Sequence, residues 1–235
     1  MAAGDGHAVV ITAHGTAFFW GENRHSCCGR EYPTELTVPL AMKLPSCQSS
    51  SGGGCGDGLN IPDEVAIQDA ACGLEHTVLV TRSGRLLVCG NNNFGQVGIA
   101  ASELNSSNTV IPVNHPTGGR FVSAEAGIAN SLILDDAGDV WMTTGQHGIQ
   151  CILAGKSALA ISAGGDGNLA IIAAAPTGVK LLQRQFSMEE IENPTSIVDA
   201  VHGMIVELED GKGDKTNLSQ EIARKSEELL RYPSY

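Results

Sequence analysis

Ala71-Cys-Gly73-Leu-Glu-His76-Thr-Val-Leu-Val-Thr-Arg-Ser-Gly84-Arg-Leu-Leu-Val-Cys-Gly90 is the stretch whose reading decides the fold. It continues through Asn91-Asn-Asn-Phe94-Gly95-Gln96-Val97-Gly98. The skeleton is Gly-x-x-His, a short run of Val, Leu and Thr, a turn glycine, a second apolar run, and a closing glycine. Short β-branched runs between Gly-containing turns read as strands of a hairpin. In Arg82-Ser-Gly84 the glycine stands where a tight turn wants positive φ.

The same skeleton recurs, and repeats decide architecture before any local reading does. Gly4-Asp-Gly-His7 is followed by Ala-Val-Val-Ile, Gly15, Thr-Ala-Phe-Phe-Trp20 and Gly21. The step from His to the turn glycine is 8 residues in both copies, and from there to the closing glycine 6. A third copy runs Gly127-Ile-Ala-Asn130-Ser-Leu-Ile-Leu-Asp-Asp-Ala-Gly138-Asp-Val-Trp141; Asn replaces His and the step of 8 survives. A fourth starts at Gly165, with Asn168 at the His position and Gly178 after 10 residues; a degraded fifth lies within 198–211, ending at Gly211. One hairpin cannot bury both faces, whereas copies stacked around an axis can. The sequence therefore predicts an all-β chain. Its strands fall near 8–12, 16–20, 77–81, 85–89, 131–134 and 139–143.

These residues resemble the repeat of the regulator-of-chromosome-condensation family, most closely from Ala71 to Gly98. That family's Ala-Cys-Gly-x-x-His-Thr start is present, and so is its Gly-x-Asn-x-x-Gly-Gln-x-Gly ending, as Gly90 to Gly98. The first copy keeps a relic of the ending in Gly21-Glu-Asn23-Arg-His-Ser-Cys-Cys-Gly29, and the third only Gly145-Gln146-His-Gly148. The resemblance implies a β-propeller. Repeat starts at 4, 73, 127 and 165 give steps of 69, 54 and 38, about four blades where the family closes a ring with about seven. The expectation is a partial or irregular propeller over residues 1–185, with Gly4, His7, Gly15, Gly73, His76, Gly84, Gly90, Gly95, Gly98, Gly127 and Gly138 as structural repeat positions. Uncapped blade edges would favour self-association.

Residues 45–58, rich in Ser and Gly, read as a flexible insertion between the first two blades. Gly52 to Gly58 follows a Ser tract rather than an apolar strand, so it does not read as a phosphate loop. Gly211-Lys-Gly213-Asp-Lys215-Thr216 lacks the Ser or Thr that must follow Gly-Lys directly, and reads as a polar turn. Residues 186–235 change character, with 11 acidic and 5 basic residues. Ser187-Met-Glu-Glu190 forms a capping box, and 217–231 is the best helix, flanked by Asn217 and Pro233. This C-terminal helix either covers an open strand edge of the propeller or begins a further domain.

The composition limits function. Formal net charge is −12, with 14 Lys+Arg against 26 Asp+Glu, and no basic run occurs, which argues against direct nucleic-acid or anionic-membrane partners. No apolar stretch approaches the ~18 residues of a membrane span, and the N-terminus lacks the basic start of a signal peptide. The expectation is a cytoplasmic or nuclear protein. The seven cysteines include no Cys-x-x-Cys pair, so they read as reduced thiols, and His25-Ser-Cys27-Cys28 as a loop rather than a metal site. His7 and His76 recur at one repeat position, which argues for a structural role. No Gly-x-Ser-x-Gly elbow occurs, and neither a catalytic residue nor a cofactor is expected. The sequence thus predicts a non-enzymatic interaction module or regulatory scaffold with a protein partner. The family's founding activity, guanine-nucleotide exchange on a Ran-like small GTPase, stands as the alternative.

Overall fold

A computed structural model describes residues 1–42, 65–104, 106–155, 158–164, 168–175 and 178–185. The insertion at 45–58, the degraded copy at 198–211 and the helix at 217–231 lie outside them. The first sheet holds β1 (Ala2–Ala3), β2 (His7–Ile11), β3 (Ala17–Glu22) and β4 (Glu35–Ala41). The second holds β5 (Ile67–Cys72), β6 (His76–Thr81), β7 (Leu86–Asn91) and β8 (Ser106–Val113). The third holds β9 (Phe121–Ala126), β10 (Ser131–Asp135), β11 (Val140–Thr144) and β12 (Gly148–Leu153). In the fourth, β13 (Ala158–Gly164), β14 (Asn168–Ala175) and β15 (Gly178–Gln185) are described. Each sheet is an antiparallel meander in chain order. The described residues are all-β apart from two short 3-10 turns, and form an arc of propeller blades.

The first strands of successive blades adjoin one another, β1 with β5, β5 with β9 and β9 with β13, so they line the axis and the fourth strands lie at the rim. Pro39 in β4 and Pro112 in β8 fit that placement, since a residue without an N–H is tolerated on an edge strand.

Alternation in the paired middle strands sends one set of side chains toward each neighbouring blade. Val9, Ala17 and Phe19 of the first blade meet Leu79, Leu87 and Cys89 of the second in one buried cluster. Val78, Val80, Leu86 and Val88 leave the opposite face of the second blade and meet Phe121, Ile133 and Trp141 of the third. The core is thus a series of layers between blades. Cys72 and Cys89 belong to it as apolar groups, and burial pushes the Cys72 thiol up to about 12.

The hairpin-turn glycines clamp the blades together. Gly15, Gly84 and Gly138 have φ of 90°, 83° and 79°. Each carbonyl accepts an N–H from the start of the next blade: Ile67 N to Gly15 O at 2.8 Å, Phe121 N to Gly84 O at 2.9 Å, Ala158 N to Gly138 O at 2.8 Å. The contact is close enough that a Cβ at Gly84 would lie 2.5 Å from Arg120 Cβ. Arg82 Nη2 reinforces the joint between the first and second blades by donating to Ala13 O at 2.7 Å, and Arg120 Nη2 that between the second and third by donating to Arg82 O at 2.6 Å. Gly84→Val meets both a disfavoured φ and this overlap, and should lower unfolding stability by more than ~2 kcal/mol in denaturant titration.

Candidate functional site

The Gly-x-x-His turns at 4–7 and 73–76 and the matching Gly127–Asn130 turn lie at one end of the blades, together with the loops that follow β3 and β7. Three equivalent bonds close the turns: Gly4 N to His7 O, Gly73 N to His76 O and Gly127 N to Asn130 O, all 2.9 Å. Their first glycines sit against the next blade. A Cβ at Gly4 would fall 2.1 Å from Gly73 O, and one at Gly73 would fall 2.6 Å from Gly127 O.

Beneath the turns runs a repeated relay. His7 Nε2 lies 2.8 Å from Thr77 Oγ1 of the second blade, and Thr77 Oγ1 donates to Cys27 O of the first at 2.7 Å. His76 Nε2 lies 2.8 Å from Ser131 Oγ of the third blade, and Ser131 Oγ donates to Gln96 O of the second at 3.0 Å. Because each hydroxyl proton goes to a carbonyl, each histidine must donate from Nε2. Both rings are buried, and His7 is pulled down to about 4 and His76 to about 3, chiefly by burial, which disfavours the charged imidazolium. The nearby backbones of His76 and Asn130 oppose this more weakly. The histidines therefore hold blades together as neutral donors.

The loop after β7 is organised by Asn92, whose Nδ2 donates to Ile99 O at 3.0 Å and Leu104 O at 2.6 Å while Val97 N donates to its Oδ1 at 3.0 Å. Asn23 does the same in the first blade, donating to Arg30 O and Pro33 O at 2.7 Å and accepting from Cys28 N at 2.9 Å. The relic ending of the first copy thus folds as the full ending does. Two differences carry strain: His25, the counterpart of Phe94, has φ of 50°, and Ser26, the counterpart of Gly95 with φ of 73°, has φ of 62° with a side chain attached.

The exposed part of this end is acidic with apolar points. Asp5, Glu22 and Glu75 line a shallow recess of about 20 Å³ with His7, Arg24, Cys27 and Leu74. Arg24 Nε pairs with Glu22 at 2.8 Å, and Glu75 receives Asn91 Nδ2 at 2.9 Å and faces His25 at 3.4 Å. Leu74 and Phe94 are each 40 % exposed. His25 therefore points to a carboxylate on the next blade, whereas the Cys27 and Cys28 thiols turn inward to Glu22 O. Among the described residues, no group of three or more His, Cys, Asp or Glu side chains could hold a metal ion.

Two further polar clusters were not apparent in the repeat. Asp135, next to the third hairpin turn, accepts from Ala137 N, Asp139 N and Trp141 Nε1 at 2.8–2.9 Å, and lies 3.2 Å from His115 Nε2. Burial opposes its ionisation, yet the bonds from Trp141, Asp139, His115 and Ala137 together keep its carboxyl below the usual value. His115 comes from the connector between blades, so no repeat position announces it. Near the axis, Asp69 accepts from Ser123 Oγ at 2.8 Å and Ala124 N at 3.0 Å, and burial together with Asp69 pushes Glu125 up to about 7. Both clusters join successive elements of the fold.

An arc of repeated antiparallel blades with loops gathered at one end defines a propeller-type fold. The chain matches the regulator of chromosome condensation (RCC1) repeat model over residues 67–96. It is 31 % identical over 99 residues to the bovine secretion-regulating guanine nucleotide exchange factor, covering 42 % of this chain and 18 % of that protein. It is 25 % identical over 154 residues to the human X-linked retinitis pigmentosa GTPase regulator, covering 64 % and 13 %. The crystal structure of human WBSCR16 superposes with a TM-score of 0.57 at 18 % identity, covering 77 % of this chain and 52 % of that one. Over residues 67–96 the chain is thus similar to the regulator-of-chromosome-condensation repeat family, and it spans under a fifth of these two curated relatives.

His76→Ala removes the donor to Ser131 and leaves a buried gap, and should lower stability by ~1–3 kcal/mol in chemical denaturation. Ser26→Gly relieves the positive φ and should raise it by up to ~1 kcal/mol in the same measurement.

Proposed function

We propose that this chain is a non-enzymatic protein-interaction module, and that its binding face is the end carrying the Gly-x-x-His turns. The observation that carries this reading is half-exposed Leu74 in one recess with the carboxylates Asp5, Glu22 and Glu75, with half-exposed Phe94 on the loop after β7 that Asn92 braces from within. Apolar anchors beside charge, on loops fixed by a rigid scaffold, suit recognition of a protein surface. The acidic rim favours a partner with basic residues at the contact. Two relatives are named as a guanine nucleotide exchange factor and a GTPase regulator, so the partner class proposed is a small GTPase. Regulatory binding is the first reading and nucleotide exchange the second. Among the described residues no helix is long and apolar enough to cross a membrane.

The test is binding of the full chain to a Ran-like GTPase loaded with fluorescent GDP, read by interferometry and by nucleotide release in parallel. Binding without faster release supports the scaffold reading, and accelerated release supports exchange. Leu74→Asp with Phe94→Asp should weaken either by at least ~10-fold. Binding that is indifferent to both substitutions would place the contact on another surface.

A further inference from the structure

We propose that the joints between the first and second blades, and between the second and third, form a proton-sensitive latch that acidification opens, while the joint between the third and fourth does not respond. His7 and His76 each donate from Nε2 to a hydroxyl whose own proton is committed to a carbonyl. That fixes the neutral tautomer, with a bare lone pair on Nδ1. Both Nδ1 atoms are buried and have no hydrogen-bond partner among the described residues. A second proton would put an N–H and a full charge there, with nothing placed to receive them.

The surroundings do not offset this. Asp5, Glu22, Glu75, Arg24 and Cys27 line the recess that His7 reaches, but Glu22 is paired with Arg24, and Glu75 with Asn91 and His25. His76 meets Ser131 on the third blade and feels His7 as a second disfavouring charge. His115 is engaged with Asp135 at the other end of the blades.

The third joint is built differently. Asn130, buried and not titratable, stands where the two histidines stand, and Leu169 follows Asn168 where Thr77 and Ser131 supply the hydroxyl. The turns that carry Leu74 and Glu75 belong to the sensitive joints, so opening the latch disturbs the face described above. The latch itself does not depend on that reading, because unfolding measurements read it without a partner.

Both histidines bind a proton more weakly folded than unfolded, where the ordinary value is 6.5. Their stabilisation is complete above that value and is lost as pH falls from it toward about 4 for His7 and about 3 for His76. Between pH 7.5 and 5.5 the unfolding constant should rise about 10-fold per histidine.

The chain itself supplies the control: Asn is accommodated at position 130, so His7→Asn with His76→Asn should fold and lose this part of the pH response. Equal pH responses of wild type and double variant would overturn the latch. If the double variant does not fold, ring-nitrogen NMR of the wild type decides. Retention of the neutral Nε2–H form in folded protein at pH 5.5 supports the latch, and folded-state titration near 6.5 overturns it. Hydrogen exchange at pH 5.5, corrected for intrinsic rate, should rise at residues 4–7 and 73–76 and not at 127–130. A uniform rise would contradict the proposed localisation.

Discussion

The structure depends on a three-part hydrogen bond that crosses from blade to blade: imidazole to hydroxyl, hydroxyl to carbonyl. It occurs twice in the same register, at His7–Thr77–Cys27 and His76–Ser131–Gln96. Meander sheets stacked through apolar faces could slide or rotate with little change in buried area. A directional bond buried between them fixes the angle and height of each blade against the next. The turn glycines do the same at the opposite end, where Gly15, Gly84 and Gly138 each receive an N–H from the following blade. The first two joints are therefore pinned at both ends of an apolar layer, and the third by the glycine clamp at Gly138.

This arrangement explains the spacing that recurs in the chain. Eight residues separate the relay histidine from the clamp glycine because one strand must run between the two ends of the blade. Six more return the chain to the glycine opposite the histidine, as the pairs His7 with Gly21 and His76 with Gly90 show. The constraint falls on positions that hold blades together. Residues between them are free to vary at the exposed loops, where Asp5, Leu74 and Ile128 occupy one repeat position with three different chemistries.

The middle hairpins of the first three blades were legible in the sequence because both of their faces are buried in the second and third blades, and one face in the first, so their apolar runs are strong. The first and fourth strands were not. β5 carries Gln68 and Asp69, β9 carries Ser123 and Glu125, and β4 and β8 each contain a proline; axis and rim strands meet water or polar partners and lose the apolar signal. The shared repeat position of His7 and His76 was readable from their recurrence, but their partners were not. Thr77 and Ser131 each follow the relay position directly, yet the first copy has Ala8 there, which hides the pattern. The Asp135–Trp141–His115 cluster was half visible, since Asp135 reads as a hairpin cap while His115 arrives from a connector outside the repeat. Ser26 at positive φ could have been found by aligning the relic ending with Gly95.

The central claim is that the histidine relay couples one blade to the next, and a double-mutant cycle between His76 and Ser131 tests it most directly. His76→Ala, Ser131→Ala and the double variant would be unfolded in denaturant alongside the wild type. The account predicts a coupling energy of about 1 kcal/mol or more, because either single change removes the same bond. Additive effects, within about 0.3 kcal/mol, would contradict it and leave the blades held by apolar packing and the glycine clamps alone.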